Sequence, residues 1–219
     1  IMSKTILLIG ASGLTGREVL DLLLEDSRCK SVIALVRKPI PVNHSKLTQL
    51  PIVFEKISAV NLPSDIDTVM LCLGSTIAKA GSKEDFEKID RSYNFESAKL
   101  AQKYGAKTCV LISAVGADPK SNIFYSKVKG LLEEDLKTLN FEGLYFLQPG
   151  LLLGDRQENR TMESISQVLF GKWTQKVGIF GKYTSIHVEQ LAKVMVELGL
   201  RPYSNEQAVL QFKEMKKLF

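Results

Sequence analysis

The sequence predicts an α/β fold of Rossmann type, a doubly wound parallel sheet with helices on both faces and a small lid region toward the C-terminus. Three observations carry this. Short β-branched or Leu-rich runs alternate with longer amphipathic segments along most of the chain. The first run, Lys4–Ile9, is continuously apolar, as a strand buried on both faces must be. That run stops at a glycine-rich turn that leads directly into helical spacing. Right-handed crossovers then place the helices on both sides of the sheet.

The elements follow in order. Leu14 to Asp26 carries Leu20, Leu23 and Leu24 at helical spacing with acidic residues opposite, which predicts the first helix. Ser31 to Val36 reads as the second strand and Ile52 to Glu55 as a weaker third. Asp67 to Leu73 is a fourth strand, stopped again by glycine. Lys83 to Tyr104 is a long helical stretch that Gly105 closes. Ala106 to Ser113 reads as a fifth strand, Ile123 to Leu139 as a helix, and Leu144 to Leu147 as a sixth strand before Pro149 and Gly150. The alternation then breaks. Residues 151–186 hold Trp173 and four glycines without periodicity and are expected to form the substrate-side loop or lid. Val188 to Leu200 and Asn205 to Leu218 read as two closing helices.

A chain of 219 residues, 45% hydrophobic and 24% charged, suits a single nucleotide-binding domain spanning 1–219 and excludes wholesale disorder. Without an apolar run of about 20 residues or a signal-peptide layout, no membrane association is expected, and the location expected is cytoplasmic. The net charge of +5 is spread out rather than interleaved with aromatics, so nucleic acid is not an expected partner. A homodimer stays open. Cys29, Cys72 and Cys109 are odd in number and widely spaced, and His44 and His187 stand apart from them, so neither a disulfide framework nor a metal site is expected.

The turn after the first strand is Gly10-Ala-Ser-Gly13-Leu-Thr-Gly16. Glycines there allow a tight turn and let backbone N–H groups approach a pyrophosphate, at which the next helix aims its positive end. Gly10, Ser12, Gly13, Leu14, Thr15 and Gly16 are therefore expected to hold a dinucleotide. The second strand ends Ala34-Leu-Val-Arg37-Lys38, without the carboxylate that would hold an adenosine ribose hydroxyl. Arg37 can grip a 2′-phosphate with two hydrogen bonds and Lys38 adds charge, so NADP(H) is preferred to NAD(H).

Tyr125 and Lys129 are four apart on a predicted helix and share one face, and Ser113 ends the fifth strand, where parallel sheets bind their ligands. Together they suit acid–base work on a carbonyl or alcohol. Tyr125 is the expected proton donor or acceptor, and the Lys129 ammonium with an oxidised nicotinamide is expected to bring its pKa down toward neutrality. Ser113 is expected to donate a hydrogen bond to the reacting oxygen.

These motifs resemble the atypical short-chain dehydrogenase/reductase family, most closely the Tat-interacting oxidoreductase branch and its bacterial relatives. The strings that carry the resemblance are Gly10 to Arg17, Cys72-Leu-Gly-Ser-Thr76, Lys79-Ala-Gly81, Ile89-Asp-Arg-Ser-Tyr93, Tyr125-Ser-Lys-Val-Lys-Gly130 and Pro149 to Arg160. The resemblance implies a sheet of about seven strands and an NADPH site. It implies that Leu73, Gly74 and Ser75 line the cofactor and that Pro149, Gly150 and Leu151 pack beside the nicotinamide. It further implies that Tyr93 or Asn94 reaches the active site. Family members often carry Arg where this chain has Gln148, which puts an ion pair there in doubt. Asp155, Arg156, Glu158 and Arg160 suit either a charge network or substrate contact.

The main expectation is thus an NADPH-dependent carbonyl reductase. A non-catalytic NADP(H)-sensing module is the rival, since it needs the cofactor site but no Tyr–Ser–Lys set. A nucleotide-sugar epimerase fits the motif spacing less well, because such enzymes need a larger region after Gly150.

Overall fold

The computed structural model describes residues 3–153 and 185–219. The strands are β1 (Lys4–Ile9), β2 (Cys29–Val36), β3 (Leu47–Pro51), β4 (Thr68–Leu71), β5 (Thr108–Ile112), β6 (Gly143–Leu147), β7 (Leu152–Leu153), β8 (Ile186–His187) and β9 (Glu206–Leu210). Seven of them form one sheet in the order β3-β2-β1-β4-β5-β6-β9, every neighbouring pair parallel. The helices are α1 (Leu14–Glu25), α2 (Ile77–Ala80), α3 (Lys83–Glu87), α4 (Tyr93–Lys103), α5 (Phe124–Lys137), α6 (Val188–Leu200) and α7 (Phe212–Met215).

Strand residues alternate between two cores, which is why the strand runs are continuously apolar. Ile6, Leu8, Val32, Ala34 and Met70 pack with residues of α1 and α6 on one face. Leu7, Ile9, Ile33, Leu35, Val69 and Leu71 pack with residues of α4 and α5 on the other. Each fully buried aliphatic side chain contributes about 1.5–3 kcal/mol relative to exposure, so the double-sided burial dominates the stability. The strand order reverses between β1 and β4, and their C-terminal ends open the crevice that such a reversal creates.

Two elements differ from expectation. The third strand is Leu47–Pro51, not Ile52–Glu55. It is a half-exposed edge strand with polar residues mixed in, so it lacks an apolar run, while Phe54 and Ile57 bury themselves from a 3₁₀ segment that follows. The expected helix over 205–218 is instead β9 followed by the short α7. Its residues are compatible with a helix locally, but parallel pairing from Gly143↔Glu206 to Leu147↔Leu210 holds them extended. The long stretch 83–104 is helical but irregular, with a π-helical segment at Lys88–Ser92 between α3 and α4. As expected, Gly105 closes it with φ +91°.

Of the expected lid, the described ends pair as β7 and β8. Trp173 and the charged Asp155, Arg156, Glu158 and Arg160 lie outside the described residues. Among the described residues, no helix is long and apolar enough to cross a membrane, and no His, Cys, Asp or Glu cluster suits a metal ion.

Candidate active site

A cavity of about 420 Å³ lies over the C-terminal ends of β1, β4, β5 and β6. Its floor at one end is the glycine turn. Gly10 has φ +84°, and a Cβ there would stand 2.7 Å from the backbone of Cys72 and Leu73, so only glycine lets β1 and β4 diverge this closely. Gly16 packs so tightly against the Gly10 carbonyl that a Cβ would collide with it. Gly13 caps α1, donates its N–H to the Gly10 carbonyl at 2.9 Å, and lines the cavity with Ser12, Leu14 and Thr15. A polar backbone turn at a helix start, open to a cavity, fits a pyrophosphate.

The other wall is built from the segments after β4, β5 and β6. Leu73, Gly74 and Ser75 line it, together with Ser113, Pro149 and Gly150. From α5 come Tyr125 and Lys129, one turn apart, with the Lys129 ammonium 6.0 Å from the centre of the Tyr125 ring. The structure therefore brings Ser113, Tyr125 and Lys129 to one cavity. Arg37 and Lys38 follow the end of β2, exposed and outside the cavity lining. Leu151 also stands outside the lining, between Gly150 and Leu152.

Tyr93 does not reach this cavity. Its ring tilts against Phe54 at 5.3 Å and its hydroxyl donates to Glu55 at 2.6 Å, so the side chain is committed elsewhere. Asn94 takes the inward position instead: it is fully buried, and its Nδ2 donates to the Leu73 and Asp90 carbonyls, both at 3.0 Å. It fixes the backbone of the cavity-lining segment.

Two carboxylates that sequence reasoning missed complete the site. Asp90 is fully buried, with Oδ1 2.7 Å from Lys129 Nζ and Oδ2 accepting the Ser75 N–H at 2.7 Å. Burial pushes the Lys129 ammonium toward neutrality, but Asp90, with Tyr125 and Glu133 adding to it, outweighs burial and holds Lys129 charged above its ordinary range. Glu133 lies one turn beyond Lys129, so Tyr125, Lys129 and Glu133 form one stripe on α5. It accepts the Ser113 hydroxyl, and Gln148 Nε2 donates to its two oxygens at 3.0 and 3.2 Å.

These partners bear on two expected roles. Lys129 lowers the Tyr125 phenol as expected, but among the protein groups burial outweighs it and Asp90 pushes the same way as burial. The Ser113 hydroxyl, expected to serve the reacting oxygen, is directed at Glu133. Cys72 lines the cavity, but burial pushes its thiol up, away from the thiolate a nucleophile needs. His187 is structural as expected, capping α6 with its N–H donated to Gln190 at 3.2 Å.

The HIM1 family model matches residues 41–177, more than half of the chain. The chain belongs to the HIM1 family. Its relatives include the mitochondrial protein FMP52 of Candida albicans, 34% identical over 207 residues that cover 91% of this chain and 89% of that one. The mitochondrial fmp52 protein of Emericella nidulans is 34% identical over 193 residues, covering 80% and 83%. These names overturn the expectation of a cytoplasmic protein, a compartment that composition does not encode.

Solved structures share the Rossmann-type fold of this HIM1-family chain. A short-chain dehydrogenase family protein from Francisella tularensis superimposes with TM-score 0.68 at 16% identity, over 98% of this chain and 99% of that one. A short-chain dehydrogenase/reductase from Saccharomyces cerevisiae gives 0.69 at 14% identity, over 99% of both chains. MoeE5, solved with UDP-glucose and NAD, gives 0.67 at 16% identity, over 94% of this chain and 75% of that one.

Proposed function

We propose that this HIM1-family chain is a mitochondrial NADPH-dependent carbonyl reductase of the atypical short-chain dehydrogenase/reductase type, in the Tat-interacting oxidoreductase branch. The observation that carries the reading is the meeting of Tyr125, Lys129 and Ser113 in one cavity whose other end is a glycine turn suited to a pyrophosphate. The NAD-bound form of MoeE5, on the same fold, and the mitochondrial names of the relatives support it.

Gly13, Ser12 and Thr15 would hold the pyrophosphate at the start of α1, and Arg37 with Lys38 the 2′-phosphate. The glycines fit that group because a side chain at Gly10 would collide with the β4 backbone. When bound, the reduced nicotinamide supplies hydride to the carbonyl carbon. Tyr125 supplies the proton. Burial keeps its phenol protonated at neutral pH, which suits an acid better than a base and favours the reductive direction. Lys129, charged beside Asp90, would steady the phenolate that forms and would hold the nicotinamide ribose hydroxyls.

A panel of aldehydes, ketones and quinones, followed by NADPH consumption, tests the reading. Tyr125→Phe is expected to keep NADPH affinity and to lose turnover by about 10²–10⁴-fold, the usual worth of a positioned acid. Unchanged turnover in that variant removes the proposed acid.

A further inference from the structure

Ser113, Glu133 and Gln148 form a buried polar chain that runs back from the cavity wall Ser113 lines, 4%, 7% and 7% exposed. The Ser113 hydroxyl donates to Glu133 Oε1, and Gln148 Nε2 donates to both Glu133 oxygens. Gln148 is itself locked, because its Oε1 accepts Gln211 Nε2 at 3.1 Å and its backbone N–H donates to the Leu210 carbonyl at 2.8 Å. The Gln148 amide therefore cannot flip without losing both of its partners. Only the Ser113–Glu133 hydrogen bond can reverse its direction, and it does so when Glu133 takes up a proton from solvent, which then bridges Oε1 and Ser113 Oγ.

The direction of that bond decides what Ser113 offers the cavity. While Glu133 is a carboxylate, Ser113 spends its O–H on it and presents only lone pairs to a substrate. A carbonyl oxygen needs a donor there, so this state opposes reduction. With one proton on Oε1, Glu133 donates to Ser113 Oγ while Oε2 still accepts from Gln148, and the Ser113 O–H is released. The Ser113 hydroxyl oxygen, both Glu133 oxygens and the Gln148 amide each keep a partner in either state.

We propose that Glu133 is a positioning residue whose proton aims the Ser113 hydroxyl, so that the carboxylic acid form is the one competent for carbonyl reduction. This rests on the reductase reading above. Among the described residues, the groups facing Glu133 are Ser113 at the end of β5, Gln148 at the end of β6 with Gln211 behind it, and Lys129 and Lys137 on its own helix. Burial pushes the Glu133 carboxyl up, and the hydrogen bonds from Ser113 and Gln148 and the two lysines only partly reverse this. Burial thereby favours the acid form relative to a solvated glutamate.

Two measurements on the full chain test this. The first needs no substrate: the carboxylic acid C=O stretch in pH-difference infrared spectra. Glu133→Gln is expected to delete one band, and Ser113→Ala to shift that band. A band indifferent to Ser113→Ala overturns the proposal. The second is the pH profile of kcat for reduction of phenanthrenequinone with NADPH. Wild-type kcat is expected to fall as pH rises through the Glu133 titration. Glu133→Gln, whose amide permanently donates to Ser113 Oγ, is expected to keep the kcat of the acid limb and lose that fall. Ser113→Ala sets the floor, about 10²-fold down at all pH values. A Glu133→Gln enzyme with the wild-type profile overturns the proposal. Turnover absent from the wild type, with the band present and sensitive to Ser113, supports the Ser113–Glu133 coupling while overturning the reductase reading.

Discussion

Lys129 and Asp90 meet as a buried ion pair, Nζ 2.7 Å from Oδ1, with side chains 5% and 1% exposed. Burial raises the Tyr125 phenol most; the Lys129 ammonium draws it back in part, and the Asp90 carboxylate beside that ammonium offsets some of the pull. The Ser75 N–H on Asp90 Oδ2 ties the same charge to the loop after β4, so one carboxylate joins that loop to α5 within one wall of the cavity.

Asp90→Asn is therefore expected to be strongly destabilising. It keeps the shape but leaves the Lys129 ammonium buried without a counter-charge, a change that typically costs about 3–5 kcal/mol. Urea unfolding of the two proteins measures it. A midpoint within error of the wild type contradicts the ion pair. Asp90→Asn/Lys129→Met, which removes both charges, is expected to recover part of the loss.

Arg37→Ala tests the phosphate end. If the exposed guanidinium after β2 grips a 2′-phosphate, its loss removes charge-assisted hydrogen bonds worth about 1.5–3 kcal/mol, roughly 10- to 100-fold in NADPH affinity. NADH has no phosphate at that position, so its affinity is expected to change little. Calorimetric titration with both coenzymes decides, and equal losses refute the recognition.

Much of the architecture was legible because double-sided burial leaves a strong trace. The strand cores Ile6–Ile9, Val32–Val36 and Val69–Leu71 are apolar on both faces and bounded by glycine or polar turns. Edge strands leave none. Leu47–Pro51 and Glu206–Leu210 bury one side at most, and β9 takes its conformation from β6 rather than from its own residues. In the site, Ser113, Tyr125 and Lys129 were legible from spacing. Asp90 was not: it stands in step with the buried Phe86, Asn94 and Ala98, but an aspartate on a helical stretch reads as solvated until Lys129 is seen to face it. Glu133 did carry a signal, one more four-residue step along the Tyr125–Lys129 face. A glutamate on a helix reads as solvated until the strand end carrying Ser113 is seen beneath it.

Gly10→Ala tests the cradle. The new methyl would sit 2.7 Å from the Cys72 and Leu73 backbone, at a φ of +84° that alanine resists. Neither β1 nor β4 can yield, since both are central strands. The variant is expected to lose both stability and NADPH binding, and the cost exceeds the ~1–2 kcal/mol of the left-handed conformation alone. Thermal unfolding without coenzyme separates the effects: a Gly10→Ala protein that melts with the wild type contradicts the close approach.

A last prediction concerns the far end of the sheet, where Arg28 clamps α6 to the turn between α1 and β2. Its guanidinium meets Asp26 at 2.8 Å and Glu197 at 2.9 Å, and its backbone N–H donates to Asp26 Oδ1 at 2.8 Å. The Arg28 hydrogen bonds hold the Asp26 carboxyl below the usual carboxylate range. A carboxyl whose pKa is lower in the folded than in the unfolded chain stabilises the fold at pH above its unfolded value, near 3.9. That stability is lost as pH falls through the lower, folded value. Asp26→Asn is expected to cost about 1 kcal/mol at neutral pH, small because the pair is partly exposed to solvent. The gap between variant and wild type is expected to close in acid below about pH 4, where protonation removes the same charge from the wild type. Denaturant melts of both proteins across that range measure it. A gap that stays constant into acid shows that Asp26 contributes by shape and not by its charge.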